Sequence, residues 1–116
     1  MLYRILLKSP GPRPPFYKLA EHLWGADCHV DSDGDSIPPD TQFWTELTLA
    51  PSGPDDAERL DIDPIVDSAG HLSLLIRSES ESIAARAADY LYQIAGGELR
   101  VLPPSQDDSN AFDMPN

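Results

Sequence analysis

Apolar and polar positions along this chain follow two periods, and the switches between them mark its elements. Leu2 to Lys8 is a nearly continuous apolar run cut by Ser9, Pro10, Gly11 and Pro12, which predicts a short first strand, largely buried. Pro14 or Pro15 suits a first helical turn, after which Phe16, Leu19, Ala20, Leu23 and Trp24 recur at i, i+3, i+4, i+7 and i+8. That spacing lays one apolar stripe along a helix, and Gly25 accepts the left-handed conformation that closes it. Cys28 to Val30 reads as a short edge strand, followed by a polar loop from Ser32 to Thr41.

From Phe43 to Leu49 the period becomes two. Phe43, Thr45, Leu47 and Leu49 share one face of the predicted strand; Trp44, Glu46 and Thr48 share the other. Pro51 to Pro54 signals a turn, after which Leu60 and Ile62 alternate with Asp61 and Asp63. Pro64 then places that strand at an edge or near its own end. Asp67 to Gly70 reads as a hairpin turn into a strand from His71 to Arg77, with Leu72, Leu74 and Ile76 on one face. Ser78 with Glu81 three positions on is a capping-box pattern opening a helix. Its stripe is Ile83, Ala87, Tyr90, Leu91 and Ile94, and Gly96 and Gly97 stop it. Leu99 to Leu102 predicts a last short strand, and residues 103–116, rich in Pro, Ser, Asp and Asn with only Phe112 and Met114 as large apolar groups, are expected to be a disordered tail.

The order of elements predicts an α+β fold: a mostly antiparallel sheet of four to six strands with two helices packed on one face. The 116 residues, 41% of them apolar, suffice for one core, so residues 1–102 form a single domain. The other face of the sheet is then uncovered, and period-two register puts Trp44, Glu46, Asp61 and Asp63 on it.

Charge sharpens this picture. The net charge is −12, and between Asp27 and Asp67 twelve acids stand against one base, Arg59. Up to Lys18 the bias reverses, with Arg4, Lys8, Arg13 and Lys18 and no acid. Such a field disfavours nucleic acid and anionic lipid as partners and steers a cationic protein surface toward the middle of the chain. No apolar run approaches the ~20 residues that span a bilayer. The first residues carry no apolar stretch ending in a small-residue cleavage site, and Cys28 is the sole cysteine, so the cytoplasm is the expected setting.

Candidate chemistry is sparse. Asp31, Asp33 and Asp35 resemble the start of a calcium loop, but Ser36 stands where the loop needs Gly and Gln42 where it needs a bidentate Glu. Asp27, His29 and Asp31 would share one side of a strand as a possible metal trio, yet no second cluster completes it, and an exposed histidine is the favoured reading. Cys28 beside His29 would face the opposite way. Carboxylate pairs such as Asp55 with Asp56 and Asp61 with Asp63 lack the burial that tunes a catalytic acid. No catalytic residue, metal or cofactor is therefore expected, and the chain reads as a binding protein rather than an enzyme.

The run from Trp44 to Leu49, Arg59 to Ile62, and Leu72 to Glu79 leading into Ala84 to Gly97 resembles bacterial immunity proteins of polymorphic toxin and contact-dependent growth inhibition systems. The likeness lies in short length, acidity and a small sheet with two helices, and carries no residue over by motif. It implies binding to a cognate toxin domain in the producing cell's cytoplasm and blocking of its active site or substrate groove. A nuclease or other nucleotide-targeting toxin presents a cationic cleft that an acidic surface complements. The residues expected to meet it are Trp44 as an apolar anchor, with Glu46, Asp61, Asp63, Asp31, Asp33 and Asp35 facing Lys or Arg; the chain itself is expected to be a monomer or weak dimer. Two alternatives stay open: an acidic nucleic-acid mimic that binds a host enzyme, and a small enzyme or metal-binding protein.

Overall fold

A computed structural model describes residues 2–35, 38, 40–51 and 58–105. The chain runs β1 (Leu2–Lys8), α1 (Phe16–Trp24), β2 (Val30–Gly34), β3 (Leu47–Pro51), β4 (Leu60–Val66), β5 (Leu72–Ser78), α2 (Glu81–Ala95) and β6 (Glu98–Ser105). The strands form one antiparallel sheet in the order β2-β3-β4-β5-β1-β6, and both helices cover the same face of it. The expected α+β architecture is thus the one observed, with six strands.

Alternation decides which side chains enter the core. Ile5 and Leu7 from β1, Leu47 and Leu49 from β3, Leu60 and Ile62 from β4, and Leu74 and Ile76 from β5 are buried under the helices. Burying each such side chain is worth about 1.5–3 kcal/mol. α1 contributes Leu19, Ala20 and Leu23, and α2 contributes Ile83, Ala84, Ala87, Ala88 and Leu91, the small alanines letting that helix lie close to β1 and β5. Gly25 ends α1 as expected, with φ 91° and its N–H bonded to the Glu21 carbonyl at 2.8 Å.

Four expectations need correction. The cap of α2 is Ser80, whose Oγ accepts from the Ile83 N–H at 3.2 Å. Ser78 falls on the core-facing register of β5, is buried, and accepts from the Ser80 N–H instead. Ile94, placed on the buried stripe of that helix, is 48% exposed. The region read as a polar loop from Ser32 begins with strand: β2 extends through Asp31, Ser32, Asp33 and Gly34, pairing with β3 from Ala50 to Leu47.

The fourth correction is the largest. The expected strand over 43–49 starts only at Leu47, so period two does not reach back to Trp44. Residues 42–44 dock instead on the proline-rich segment after β1. The Arg13 N–H donates to the Gln42 carbonyl, Arg13 Nε to the Trp44 carbonyl at 2.9 Å, and Trp44 Nε1 to the Pro14 carbonyl at 2.7 Å. Trp44 is fully buried and belongs to the core cluster, while Phe43 is 72% exposed. Pro64 fits its expected place: β3 pairs with β4 only as far as Ile62, so beyond it β4 is an edge on that side. β6 carries Pro103, Pro104 and Ser105, three residues past the expected domain end; residues 106–116, the turn at 52–54 and Asp55 with Asp56 lie outside the described residues.

Candidate functional site

Among the described residues no element covers the other face of the sheet, which is built by the residues that alternate with the core. On β4, Asp61 and Asp63 point there because Leu60 and Ile62 point in. On β2, Asp31 pairs with Ala50 and Asp33 with Thr48, and Thr48 pairs in turn with Asp61. Glu46, exposed, lies just before β3. Continuing across the sheet, Asp61 meets Arg77, Arg77 meets Arg4, and on β6 Arg100 lies opposite Leu6 and Glu98 opposite Lys8.

The face is therefore divided. β2, β3 and β4 with their approaches carry Asp31, Asp33, Glu46, Asp61 and Asp63 against the single cation Arg59. β5, β1 and β6 carry Arg77, Arg4, Lys8 and Arg100 with the acid Glu98, and Asp67 of the β4–β5 turn lies beside Lys8 and Glu98. Half-buried Leu6 and Leu75, direct cross-strand partners, form an apolar patch between the charges. The acidic face expected from the sequence is thus acidic on one half only. The basic half was missed because the β1 run was read as buried on both sides. Its signal was present in the alternation of Leu2, Arg4, Leu6 and Lys8.

Neighbours commit the carboxylates to different extents. Asp61 accepts from the Thr48 hydroxyl at 2.8 Å and from Arg59 Nε at 3.2 Å, and Asp63 pairs with the Arg77 guanidinium. Asp31 is three-quarters exposed, with His29 Nε2 3.4 Å away, and Asp33 turns one oxygen back to the Gly34 N–H at 2.9 Å. Asp31, Asp33 and Glu46 therefore present the least committed negative charge. Trp44 is removed from the partner-facing set by its burial.

Asp35 has a structural task. Its carboxylate accepts from the Thr45 N–H, the Thr45 hydroxyl and the Glu46 N–H, all within 2.9 Å, and pins the approach to β3 against the end of β2. Burial pushes its carboxyl upward, but these hydrogen bonds outweigh burial and hold it below the ordinary carboxylate range. Buried Arg13 is drawn below its usual value by desolvation, opposed by the charge of Asp35. A folded-state value below the unfolded one makes the Asp35 contribution complete above the unfolded value of about 4 and lost as pH falls through the folded one. Thermal melts of the wild type should therefore fall off below about pH 4. Asp35→Asn should melt lower at neutral pH and lose less between neutral and acid. Parallel pH profiles for the two proteins would sink this assignment.

Other clusters are shallow. Asp67 accepts from the His71 and Ala69 N–H groups and lies 3.3 Å from His71 Nδ1. These contacts close the β4–β5 turn, and the His71 N–H, ahead of opposing desolvation, holds the Asp67 carboxyl low. The pair borders a depression with Lys8, Ser9, Ser73 and Glu98, but both side chains are more than half exposed, so water competes for every bond they make. Among the described residues no group of three or more His, Cys, Asp or Glu is placed to hold a metal, and no helix is long and apolar enough to cross a membrane. Cys28 is half-buried, its Sγ 3.7 Å from the His29 carbonyl.

Fold and face together define a two-layer α+β protein with one charge-divided sheet surface that no other described residues cover. Comparison with family models, curated proteins and solved structures finds no match to this chain.

Proposed function

We propose that this chain is an immunity-type inhibitor that binds a basic toxin domain through the acidic half of its open sheet face and occludes the toxin's cationic cleft. One observation carries the reading: the segregation of charge across the face, with Asp31, Asp33, Asp61 and Asp63 on β2 and β4, Glu46 just before β3, and all the face's cations but Arg59 on β5, β1 and β6. A basic partner is attracted to the first half and repelled by the second, so the field fixes orientation as well as sign. β2 adds an outer edge that no other described strand pairs with, where extended backbone groups and two carboxylates meet a partner together. The resemblance to immunity proteins supports the same role in the producing cell's cytoplasm.

The partner is to be found by pull-down from native lysate with this protein as bait, releasing bound material by a salt gradient. One basic domain should elute progressively with salt. Asp31→Lys with Asp33→Lys should weaken its binding about a hundredfold, chiefly through the association rate, while Lys8→Glu with Arg100→Glu should not weaken it. A partner whose affinity ignores both the reversal at Asp31 and Asp33 and the salt would overturn the reading.

A further inference from the structure

We propose that the groove between α2 and β6 seats the chain's own C-terminal segment, which returns antiparallel along the outer edge of β6 with Phe112 across from Val101. Three observations meet there. β6 closes one end of the sheet, and no other described strand pairs with its outer side. Its Val101 lies opposite core-facing Ile5, hence on the helix side, and is 77% exposed, more than any other large apolar residue described. Beside it Tyr3, Ile5, Ala84 and Ala85 line an apolar groove of about 190 Å³, open because α2 lies mainly over β1 and β5. About 150 Å³ of apolar cavity already takes a benzene-sized ring.

The occupant follows from the rest of the chain. Pro104 lines the groove and Ser105 is the last residue described, so residues 106–116 start at its mouth. Phe112 and Met114 are their only large apolar groups, and Asp113 stands between them. Apolar, acid, apolar is the alternation of a strand with one side on a core and the other in water. β6 carries the matching alternation, with Leu99 and Val101 on the helix side and Arg100 on the open side. A return that sets Phe112 across from Val101 sets Asp113 across from Arg100 and Met114 across from Leu99. Residues directly opposite share a face, so the ring leans into the groove while the carboxylate meets a guanidinium that has no ion pair among the described residues. Glu81, the acid of the groove wall, is on the helix side, away from Asp113. Reach is sufficient: the return from Ser105 to the level of Val101 is about 13 Å, and residues 106–111 span up to about 20 Å. So short a tether holds the segment at an effective concentration in the millimolar range, ahead of any untethered strand. Docking covers the β6 edge and leaves β2 as the edge open to a partner. The inference concerns the chain alone and does not depend on the inhibitor reading.

Nuclear magnetic resonance of the purified full chain tests it. Nuclear Overhauser contacts should join the Phe112 ring to the methyl groups of Val101 and Ala85, and the ring-current shifts of those methyls should vanish in Phe112→Ser. Chymotrypsin cleavage after Phe112, each rate referred to the matching free peptide, should be at least about tenfold faster in Val101→Asp than in the wild type, because the bond is reached only from the undocked state. Arg100→Glu should accelerate cleavage as well, and adding Asp113→Lys should restore most of the protection. Circular dichroism checks that each variant keeps its fold. A Phe112 without these contacts, cleavage at the free-peptide rate, or a rate that neither Val101→Asp nor Arg100→Glu moves would each overturn the proposal. Contacts that run between molecules in a mixture of labelled and unlabelled chains would overturn it too, assigning the groove to a second copy.

Discussion

Replacing Trp44 with alanine is expected to cost about 3–5 kcal/mol and bring the protein to the edge of unfolding at ambient temperature. The side chain is fully buried among core residues, so truncation opens a large cavity. It also leaves the buried Pro14 carbonyl without the Nε1 donor now 2.7 Å away. Trp44→Phe separates the two effects. It keeps most of the apolar volume but not the N–H, and should cost about 1–3 kcal/mol from the unsatisfied carbonyl together with a partial cavity. Urea and thermal melts of the three proteins measure this, at about 4–8 °C per kcal/mol for a domain near this size. Fluorescence gives an independent check, since Trp24 is the only other tryptophan and is half-buried, with Nε1 bonded to Glu58. An alanine variant within 1 kcal/mol of the wild type would place Trp44 outside the core and restore it as a surface residue.

Gly34→Ala is expected to cost about 2–3 kcal/mol and to act on one edge of the sheet first. Gly34 ends β2 with φ 144°, where a side chain is strained, and an added Cβ would lie 2.1 Å from the Glu46 carbonyl oxygen and 2.9 Å from its carbon. Both obstacles are backbone, so no rotamer relieves the overlap, and β2 must move away from β3. Asp35 would lose its grip on Thr45 and Glu46 in the same motion, and Asp31 and Asp33 would leave the positions that define the acidic half. Amide exchange should speed up in 30–34 and 47–51 while β1, β5 and α2 keep their protection. Binding of a basic partner should weaken in step. Wild-type exchange rates in β2 of the variant would contradict this account.

Most elements were legible in the sequence because each is written in a local period. The stripe Phe16, Leu19, Ala20, Leu23, Trp24 and the stop at Gly25 specify α1 within ten residues, and the Leu60–Asp63 alternation specifies which side of β4 is wet. Trp44 was misplaced because alternation carries information only while the strand is continuous. Three residues before β3 the backbone leaves the sheet to bond with Arg13 and Pro14, some thirty positions away. Ser78 was taken for the helix cap because its spacing to Glu81 fits a capping box, whereas the register of β5 had already committed it to the core.

By itself the sequence determined the periods, the helix stops, the acidity of the middle segment and the outward aspect of Asp61 and Asp63. All of these follow from backbone geometry and side-chain chemistry over a few neighbouring residues. Only the tertiary structure decided the strand order, and with it the charge pattern of the open face. Arg4, Arg77 and Arg100 are far apart in the chain and become neighbours because β1 lies between β5 and β6. That order is set by how two helices and six strands close over one core, a long-range packing outcome that no local period encodes.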